Sequence, residues 1–129
     1  MVIGVGIDLV KIKKTEKLLK NFGDRFLRKV FSESEIQEGK KRALPAQEFS
    51  AWFAAKEAVQ KALGAGIFAG IKFREIEVLA RPGRTPGIRL KGKAKERAEK
   101  LGGKIHLSLS HEADYALAIA IIEKSEGRK

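Results

Sequence analysis

The segment from Pro45 to Leu63, PAQEFSAWFAAKEAVQKAL, most constrains the fold of this chain. Proline is favoured in the first turn of a helix and glycine just after its end, so Pro45 and Gly64 predict one helix between them. Its apolar residues recur at helical spacing and form a side that should face the core: Phe49, Trp52, Ala55, Val59, Ala62 and Leu63. We therefore expect a central helix, around which the other elements pack.

The residues before this helix predict one strand and several short helices. Apolar residues alternate in VIGVGIDLV, which predicts a strand whose one face carries Gly4, Gly6 and Asp8. Glycine on a strand face lets another backbone or a ligand come close. A basic amphipathic helix is expected from Lys11 to Phe22, and DRFLRKVF predicts one or two further helical turns. SESE has the form of a capping box that opens a helix toward Arg42.

The second half predicts strands around one more helix. IKFREIEVL is expected to be a strand, GIRLK a short edge strand, KAKERAEKL a surface helix, and KIHLSLS and YALAIAIIE the two strands of a hairpin. The glycine-rich GAGIFAGIKF predicts a bend, RPGRTPG a loop, and KSEGRK a frayed tail. The order of elements predicts a single α+β domain over residues 1–129.

Charge and composition limit the class of function. The chain has 27 Lys and Arg against 16 Asp and Glu, which leaves a formal charge of +11. Such a charge favours an anionic partner, whether nucleic acid, an acidic protein or a phosphorylated small molecule. The absence of cysteine excludes thiol catalysis, and no apolar run is long enough to span a bilayer. Without a signal-peptide pattern at the start, a cytoplasmic location is expected.

Two acidic residues are candidates for a metal site. Glu57 and Lys61 share one face of the central helix, and their spacing is typical of a surface ion pair. Alternatively, Glu57 could bind Mg²⁺ together with a second carboxylate, because this ion is usually held by one or two carboxylates plus phosphates and water. Asp8 is a candidate for that second ligand, and its alternative role is to cap the helix that follows. Sequence distance does not show that the two acids meet.

The LSLSHE segment permits a hydrolase hypothesis that the residues argue against. Ser108 or Ser110 would be the nucleophile and His111 the base. Neighbours on an extended segment point to opposite faces, and the glycine-flanked serine of a nucleophile elbow is absent. His111 is better explained as a ligand contact or a base, or as a hydrogen-bonded turn residue.

The glycine-rich bend follows a helix and lacks the phosphate-loop motif, although its backbone amides could approach a phosphate.

Three motifs together resemble the signatures of the holo-acyl-carrier-protein synthases, the short single-domain branch of the 4'-phosphopantetheinyl transferases. The motifs are GVGIDLV near the start, FAAKEAVQKALGAGI in the middle and LSLSHEADYALA near the end. They occur in the family's order and spacing. The resemblance implies that family's fold, a mainly antiparallel sheet packed against a long helix. It also implies Mg²⁺-dependent transfer of phosphopantetheine from coenzyme A to a serine of acyl carrier protein, with release of adenosine 3',5'-bisphosphate.

Site residues follow from the resemblance by motif position. Asp8 and Glu57 fall on the metal ligands, Lys61 on a lysine that meets the coenzyme A phosphates, and His111 on the active-site histidine. Glu57, Lys61 and His111 are the implied catalytic residues, and Glu57 could also orient a metal-bound water that takes the serine proton. Lys61, Gly64, Ser110 and His111 are the implied coenzyme A contacts.

Partners and assembly follow from the resemblance as well. The family docks an acidic carrier protein on its first helix, and the exposed candidates are Lys14, Leu18, Asn21, Phe22, Arg25 and Arg28. The resemblance further implies a homotrimer in which LSLSHE contributes to a site shared with a neighbouring subunit. Fatty acid biosynthesis in the cytoplasm is the expected setting, and neither nucleic acid nor a membrane is an expected partner.

Two departures from the family pattern concern the coenzyme 3'-phosphate. The family often has arginine where this chain has Trp52, and a Gly-Lys-Pro turn where it reads Gly83-Arg84-Thr85-Pro86. Lys56, Arg81 or Arg84 could compensate.

The alternative function is a small basic RNA-binding protein, which the charge favours and the scarcity of exposed aromatic residues opposes.

Overall fold

The structure is a computed structural model that describes residues 1–64, 70–81 and 83–125. The strands are β1 (Val2–Lys11), β2 (Ile76–Leu79), β3 (Gly87–Leu90), β4 (Gly103–His111) and β5 (Tyr115–Lys124). The α-helices are α1 (Ile12–Phe22), α2 (Asp24–Val30), α3 (Glu33–Lys40), α4 (Pro45–Ala62) and α5 (Gly92–Leu101). Residues 65–69 of the predicted bend, Pro82 of the predicted loop and residues 126–129 of the predicted frayed tail lie outside the described residues.

The strands form two antiparallel sheets. The larger sheet has the order β1, β5, β4, and β2 pairs with β3 in a smaller one. The predicted hairpin joins β4 to β5, with His111 opposite Ala116. The capping box at the start of α3 is also formed, because Ser32 and Glu35 bond to each other's backbone nitrogen. The predicted α+β fold is confirmed.

Helix α4 lies across the larger sheet, and its predicted apolar side is buried. Its contact with β1 is made between backbones. A Cβ atom on Gly6 would lie 1.9 Å from the carbonyl oxygen of Ala58, and one on Gly4 would lie 2.3 Å from that of Ala62. Only glycine lets the helix come this close to the strand. The glycine-bearing face of β1 thus meets another backbone, one of the two possibilities that the sequence left open.

The predicted strand IKFREIEVL is only partly correct. Residues Phe73–Glu75 form a 3-10 turn, and β2 begins at Ile76. The side chain of Glu75 accepts hydrogen bonds from the backbone nitrogens of Lys72, at 3.4 Å, and Ala94, at 3.3 Å. These bonds tie the turn to the start of α5. The first half of the segment is therefore bonded to a helix and does not join a strand ladder.

The outer face of the larger sheet, opposite α4, is apolar and exposed. On β1, Val5, Ile7 and Leu9 are 56%, 54% and 59% exposed. Leu117 of β5 lies beside Leu9 and is 37% exposed. We call this surface, formed by Val5, Ile7, Leu9 and Leu117, the outer sheet face.

No helix within the described ranges is long and apolar enough to cross a membrane.

Candidate active site

Asp8 lies on β1 where the strand passes the second half of α4. Its Oδ1 atom accepts a hydrogen bond from Lys61 Nζ at 3.1 Å, and the same ammonium group donates to the carbonyl oxygen of Ile7 at 3.0 Å. Lys61 therefore pairs with the strand, whereas helical spacing alone favoured Glu57 as its partner. The N-cap of α1 is Lys11, so Asp8 does not have the alternative role of capping that helix.

Glu57 lies one helical turn before Lys61, and its half-buried carboxyl group contacts that of Asp8. Burial raises the pKa of Glu57 to about 7, and the hydrogen bond and negative charge of Asp8 act in the same direction. The charges of Lys61 and Lys14 act against them. The two acids that sequence distance could not connect thus meet, and this contact lets Glu57 keep its proton to a higher pH than a free glutamate would.

The two carboxyl groups have the chemistry of a site for a hard divalent cation. Asp8 Oδ2 is buried and accepts no hydrogen bond from a donor in the described residues. A buried acceptor without a donor costs free energy, which a bound cation would remove. Within the described ranges no cluster of three or more His, Asp or Glu could hold a metal. Two carboxylates completed by phosphate oxygens and water suit Mg²⁺ better than a structural zinc ion.

His111 and Ser110 lie apart from this carboxyl pair within one chain. His111 ends β4, and its Nε2 atom is 3.2 Å from Nε2 of Gln47 in the first turn of α4. From Gln47 to Glu57 the helix rises ~15 Å, at 1.5 Å per residue. Ser110 is exposed at the same end of β4. Of the sequence-predicted site residues, one chain brings together Asp8, Glu57 and Lys61, with Gly64 one turn further along, but not Ser110 or His111.

A cleft of about 490 Å³ opens beside Glu57. Its walls include Lys14 and Leu18 of α1, Phe53 of α4 and Tyr115 of β5. Neither Phe53 nor Tyr115 is among the site residues predicted from the sequence. The signal for Phe53 was its place four residues before Glu57 on the same helix face. For Tyr115 there was none, because only the sheet brings the start of β5 beside the end of β1.

A second cleft, of about 350 Å³, lies between α1 and α2 and shares Leu18 with the first. Phe22 forms part of it and is 48% exposed, with the guanidinium of Arg25 5.5 Å from the centre of its ring. Lys14, Asn21 and Arg28 are exposed on the same two helices. These six predicted docking residues form what we call the α1/α2 surface: Lys14, Leu18, Asn21, Phe22, Arg25 and Arg28.

Trp52 belongs to the core. It is 4% exposed and packs edge to face on Phe49, with ring centres 5.7 Å apart. The guanidinium of Arg42 covers its ring at 5.7 Å. Lys56 is fully buried, so it cannot compensate for a missing arginine at a phosphate. Arg81 and Arg84 are exposed and keep that possibility.

Comparison with known proteins identifies the family. Residues 4–120 match the model of the 4'-phosphopantetheinyl transferase superfamily. The chain belongs to this superfamily. It is 48% identical to a holo-acyl-carrier-protein synthase of Syntrophus aciditrophicus over 124 residues, which cover 95% of this chain and 97% of the relative.

Solved structures agree with this assignment. The holo-acyl-carrier-protein synthase of Neisseria meningitidis has a TM-score of 0.85 and 33% identity, covering 96% of this chain and 100% of that one. A holo-acyl-carrier-protein synthase of Bacillus anthracis, in complex with coenzyme A (3',5'-ADP), has a TM-score of 0.78 and 31% identity, covering 97% and 99%. The resemblance seen in the three motifs is confirmed, and the chain is an enzyme of the phosphopantetheinyl transferase class.

Proposed function

We propose that this enzyme transfers the 4'-phosphopantetheine group of coenzyme A to a serine of apo acyl carrier protein, with Mg²⁺, and releases adenosine 3',5'-bisphosphate. The meeting of Asp8, Glu57 and Lys61 at the end of a cleft that leads to the basic α1/α2 surface carries this proposal. Two findings on relatives of this chain support the proposal: their names, and the coenzyme A (3',5'-ADP) complex of the Bacillus anthracis relative.

The reaction concentrates negative charge on phosphoryl oxygens. The serine oxygen forms a bond to the β-phosphorus of coenzyme A, the bond from that phosphorus to the bridging oxygen breaks, and the bisphosphate leaves with the electron pair. Asp8 and Glu57 would hold Mg²⁺, which would neutralise the pyrophosphate and make its phosphorus more electrophilic. Lys61 would turn from Asp8 to a phosphate oxygen and stabilise the charge that develops there. Water held by Glu57 would accept the serine proton.

The carrier protein would dock on the α1/α2 surface. Exposed cations surround an apolar cleft there, which suits an acidic partner with one apolar contact residue. Leu18 lines both clefts, so a serine of the docked carrier could reach Glu57 through the cleft walled by Lys14 and Phe53. Docking and chemistry would thus lie on one continuous path.

We further propose a homotrimer in which each site takes His111 and Ser110 from a neighbouring subunit. His111 lies ~15 Å along α4 from Glu57 in its own chain, so a shared site explains how it could contact the same coenzyme A. The outer sheet face supports this assembly. In a monomer its three alternate residues of β1, together with Leu117, would expose an apolar patch to water, and such patches commonly mark protein interfaces. Gly64, with φ of 77°, would bring its backbone close to coenzyme A.

The test of the transfer is direct. The protein is incubated with coenzyme A, Mg²⁺ and an apo acyl carrier protein, and the mass of the carrier is measured. The carrier should gain one phosphopantetheine, Glu57→Gln should abolish the gain while remaining folded, and Glu96→Gln on the exposed side of α5 should have no effect. No mass gain, beside a known transferase that works in parallel, would refute the proposal, and steep salt-dependent RNA binding in its place would favour the alternative function.

The proposed assembly has its own test. Ile7→Asp places a charge in the centre of the outer sheet face, whereas Leu44→Asp places one at another exposed apolar residue, 61% exposed, outside that face. Sedimentation velocity should show trimers for the wild type and Leu44→Asp, and monomers for Ile7→Asp. A wild-type monomer at micromolar concentration that is fully active would contradict the shared site.

A further inference from the structure

One buried ion pair has no role in the chemistry described above. Lys56 Nζ lies 2.9 Å from Glu35 Oε1, and the two side chains are 0% and 1% exposed. The ammonium group also donates to the carbonyl oxygens of Phe73, at 3.0 Å, and Ile76. It lies 5.5 Å from the ring centre of Phe31. Its contacts therefore come from the end of α2, from α3 and from the approach to β2.

The carboxylate of this pair is equally constrained. Glu35 accepts hydrogen bonds from the backbone nitrogens of Ser32, at 2.8 Å, and Val78, at 2.7 Å. Replacing a buried ion pair by apolar residues of similar volume is often neutral or stabilising, so the presence of one is weak support for a purely stabilising role. What this pair adds over apolar packing is direction, because each of its hydrogen bonds fixes an angle as well as a distance.

Direction matters here because of what lies next to Lys56 on the helix. Successive residues of an α-helix are turned by about 100°, so the orientation of Lys56 sets that of Glu57. The contact of α4 with β1 is smooth, since Gly4 and Gly6 meet the backbone at Ala58 and Ala62 without interlocking side chains. At these two positions the contact therefore includes no side chain of β1 that would set the rotation of the helix.

Rotation of α4 would also be favoured by the carboxyl groups themselves. In the doubly ionised form, which is the one that would bind a cation, the two negative charges repel, and turning the helix would separate Glu57 from Asp8. Lys61, on the same face, holds Asp8 but is itself 54% exposed, so its bond is a weak restraint. On the buried side of the helix, Lys56 adds directed bonds to the packing of the apolar side chains, and these bonds reach other segments of the chain.

We propose that Lys56 and Glu35 are positioning residues, which fix the rotation of α4 so that Glu57 faces Asp8 and the two carboxylates can bind one divalent cation. This inference rests on the metal site proposed above. The pair acts through Glu57 and touches neither substrate nor metal. Its loss should therefore lower metal affinity more than the loss of an equal amount of stability elsewhere would.

The experiment compares Lys56→Met with Ile36→Ala. The first keeps the length of the side chain and removes its bonds. The second removes buried apolar contacts from α3, the helix that carries Glu35, and leaves the ion pair unchanged. Both are measured at a temperature where circular dichroism shows them folded. The readouts are the Mg²⁺ concentration for half-maximal transfer, and Mn²⁺ binding in the presence of coenzyme A, followed by electron paramagnetic resonance without any carrier.

Lys56→Met should weaken Mn²⁺ binding and raise the half-maximal Mg²⁺ concentration about tenfold, as changes behind a metal ligand commonly do. Ile36→Ala should change both by less than twofold. Equal effects in the two variants, or none in Lys56→Met, would overturn the inference. If Lys56→Met does not fold, Glu35→Met/Lys56→Met, which leaves no unpaired charge, replaces it under the same criteria, and failure of both to fold would mean that the pair serves folding alone.

The two proposals fail in different ways. A wild-type protein that neither binds Mn²⁺ with coenzyme A nor depends on Mg²⁺ would contradict the metal site at Asp8 and Glu57. A wild type with normal metal dependence beside an unaffected Lys56→Met would contradict only the positioning role.

Discussion

Glu57→Gln should make the metal-free enzyme more stable at alkaline pH although it removes catalysis. Burial beside Asp8 raises the pKa of Glu57 from 4.5 to about 7. Between these values the folded protein retains a proton that the unfolded chain has lost, so the stability of the wild type falls as the pH rises from 4.5 to 7. The amide introduced by Glu57→Gln carries no charge and can donate a hydrogen bond to Asp8, so the variant escapes this loss.

The size of the effect follows from the two pKa values. Their difference corresponds to at most ~3.4 kcal/mol, at 1.36 kcal/mol per pH unit. Because Glu57 is only half-buried, water screens the repulsion, and we expect about half of this, ~1.5 kcal/mol. For a chain of this length such a difference raises the melting temperature by about 5 °C. Below pH 4.5 the side chain at position 57 is uncharged in both proteins, so the wild type and Glu57→Gln should have the same melting temperature there.

Thermal unfolding in the presence of a chelator, followed by circular dichroism at pH 4.5 and pH 8, measures this difference. Adding Mg²⁺ and coenzyme A at pH 8 should then stabilise the wild type more than Glu57→Gln, because only the wild type keeps both carboxylates. Glu96→Gln on α5 is the control and should match the wild type throughout. A metal-free Glu57→Gln that is no more stable than the wild type at pH 8 would refute the contact between the two carboxyl groups.

Three further predictions concern other parts of the chain. Gly6→Ala should destabilise the protein by ~3 kcal/mol in urea unfolding, because its Cβ would lie 1.9 Å from the Ala58 oxygen and force α4 away from β1. Burial disfavours the ionised form of Glu77, but bonds from two serine hydroxyls and nearby cations outweigh it and lower its pKa to about 2. Glu77→Gln should therefore cost ~2 kcal/mol at pH 7, and its difference from the wild type should shrink between pH 4.5 and pH 2. Arg25→Glu should raise the KM for the carrier protein about tenfold in low salt and less in high salt, whereas Lys100→Glu on α5 should leave it unchanged.

The local elements of this protein could be predicted from the sequence because their signals are local. Pro45 and Gly64 mark the two ends of α4, and the capping box at Ser32 marks the start of α3. Alternating apolar residues predicted β1 and the hairpin of β4 and β5. The exception, the 3-10 turn at Phe73–Glu75, arises from bonds to α5, which no pattern within the segment records.

For the candidate active site, the identities of the residues could likewise be predicted from the sequence, whereas their contacts could not. The residue types and the three motifs were enough to identify the family and to name Asp8, Glu57 and Lys61 as site candidates. The meeting of Asp8 with Glu57 and the bond of Lys61 to Asp8 both depend on the packing of β1 against α4 through glycine. This packing joins segments about fifty positions apart in the sequence. Helical periodicity could not decide these pairings, because it relates only residues within one helix.

The neighbours Lys56 and Glu57 show this limit most clearly. In the sequence both are charged residues in the same run of alanines, and the spacing that made Glu57 a surface residue gave Lys56 no role. Only the tertiary structure buries Lys56 against Glu35 and turns Glu57 toward Asp8. The sequence determined that a helix forms here and which side of it is apolar, whereas the packing of three other segments decided which charge is buried and which one faces the site.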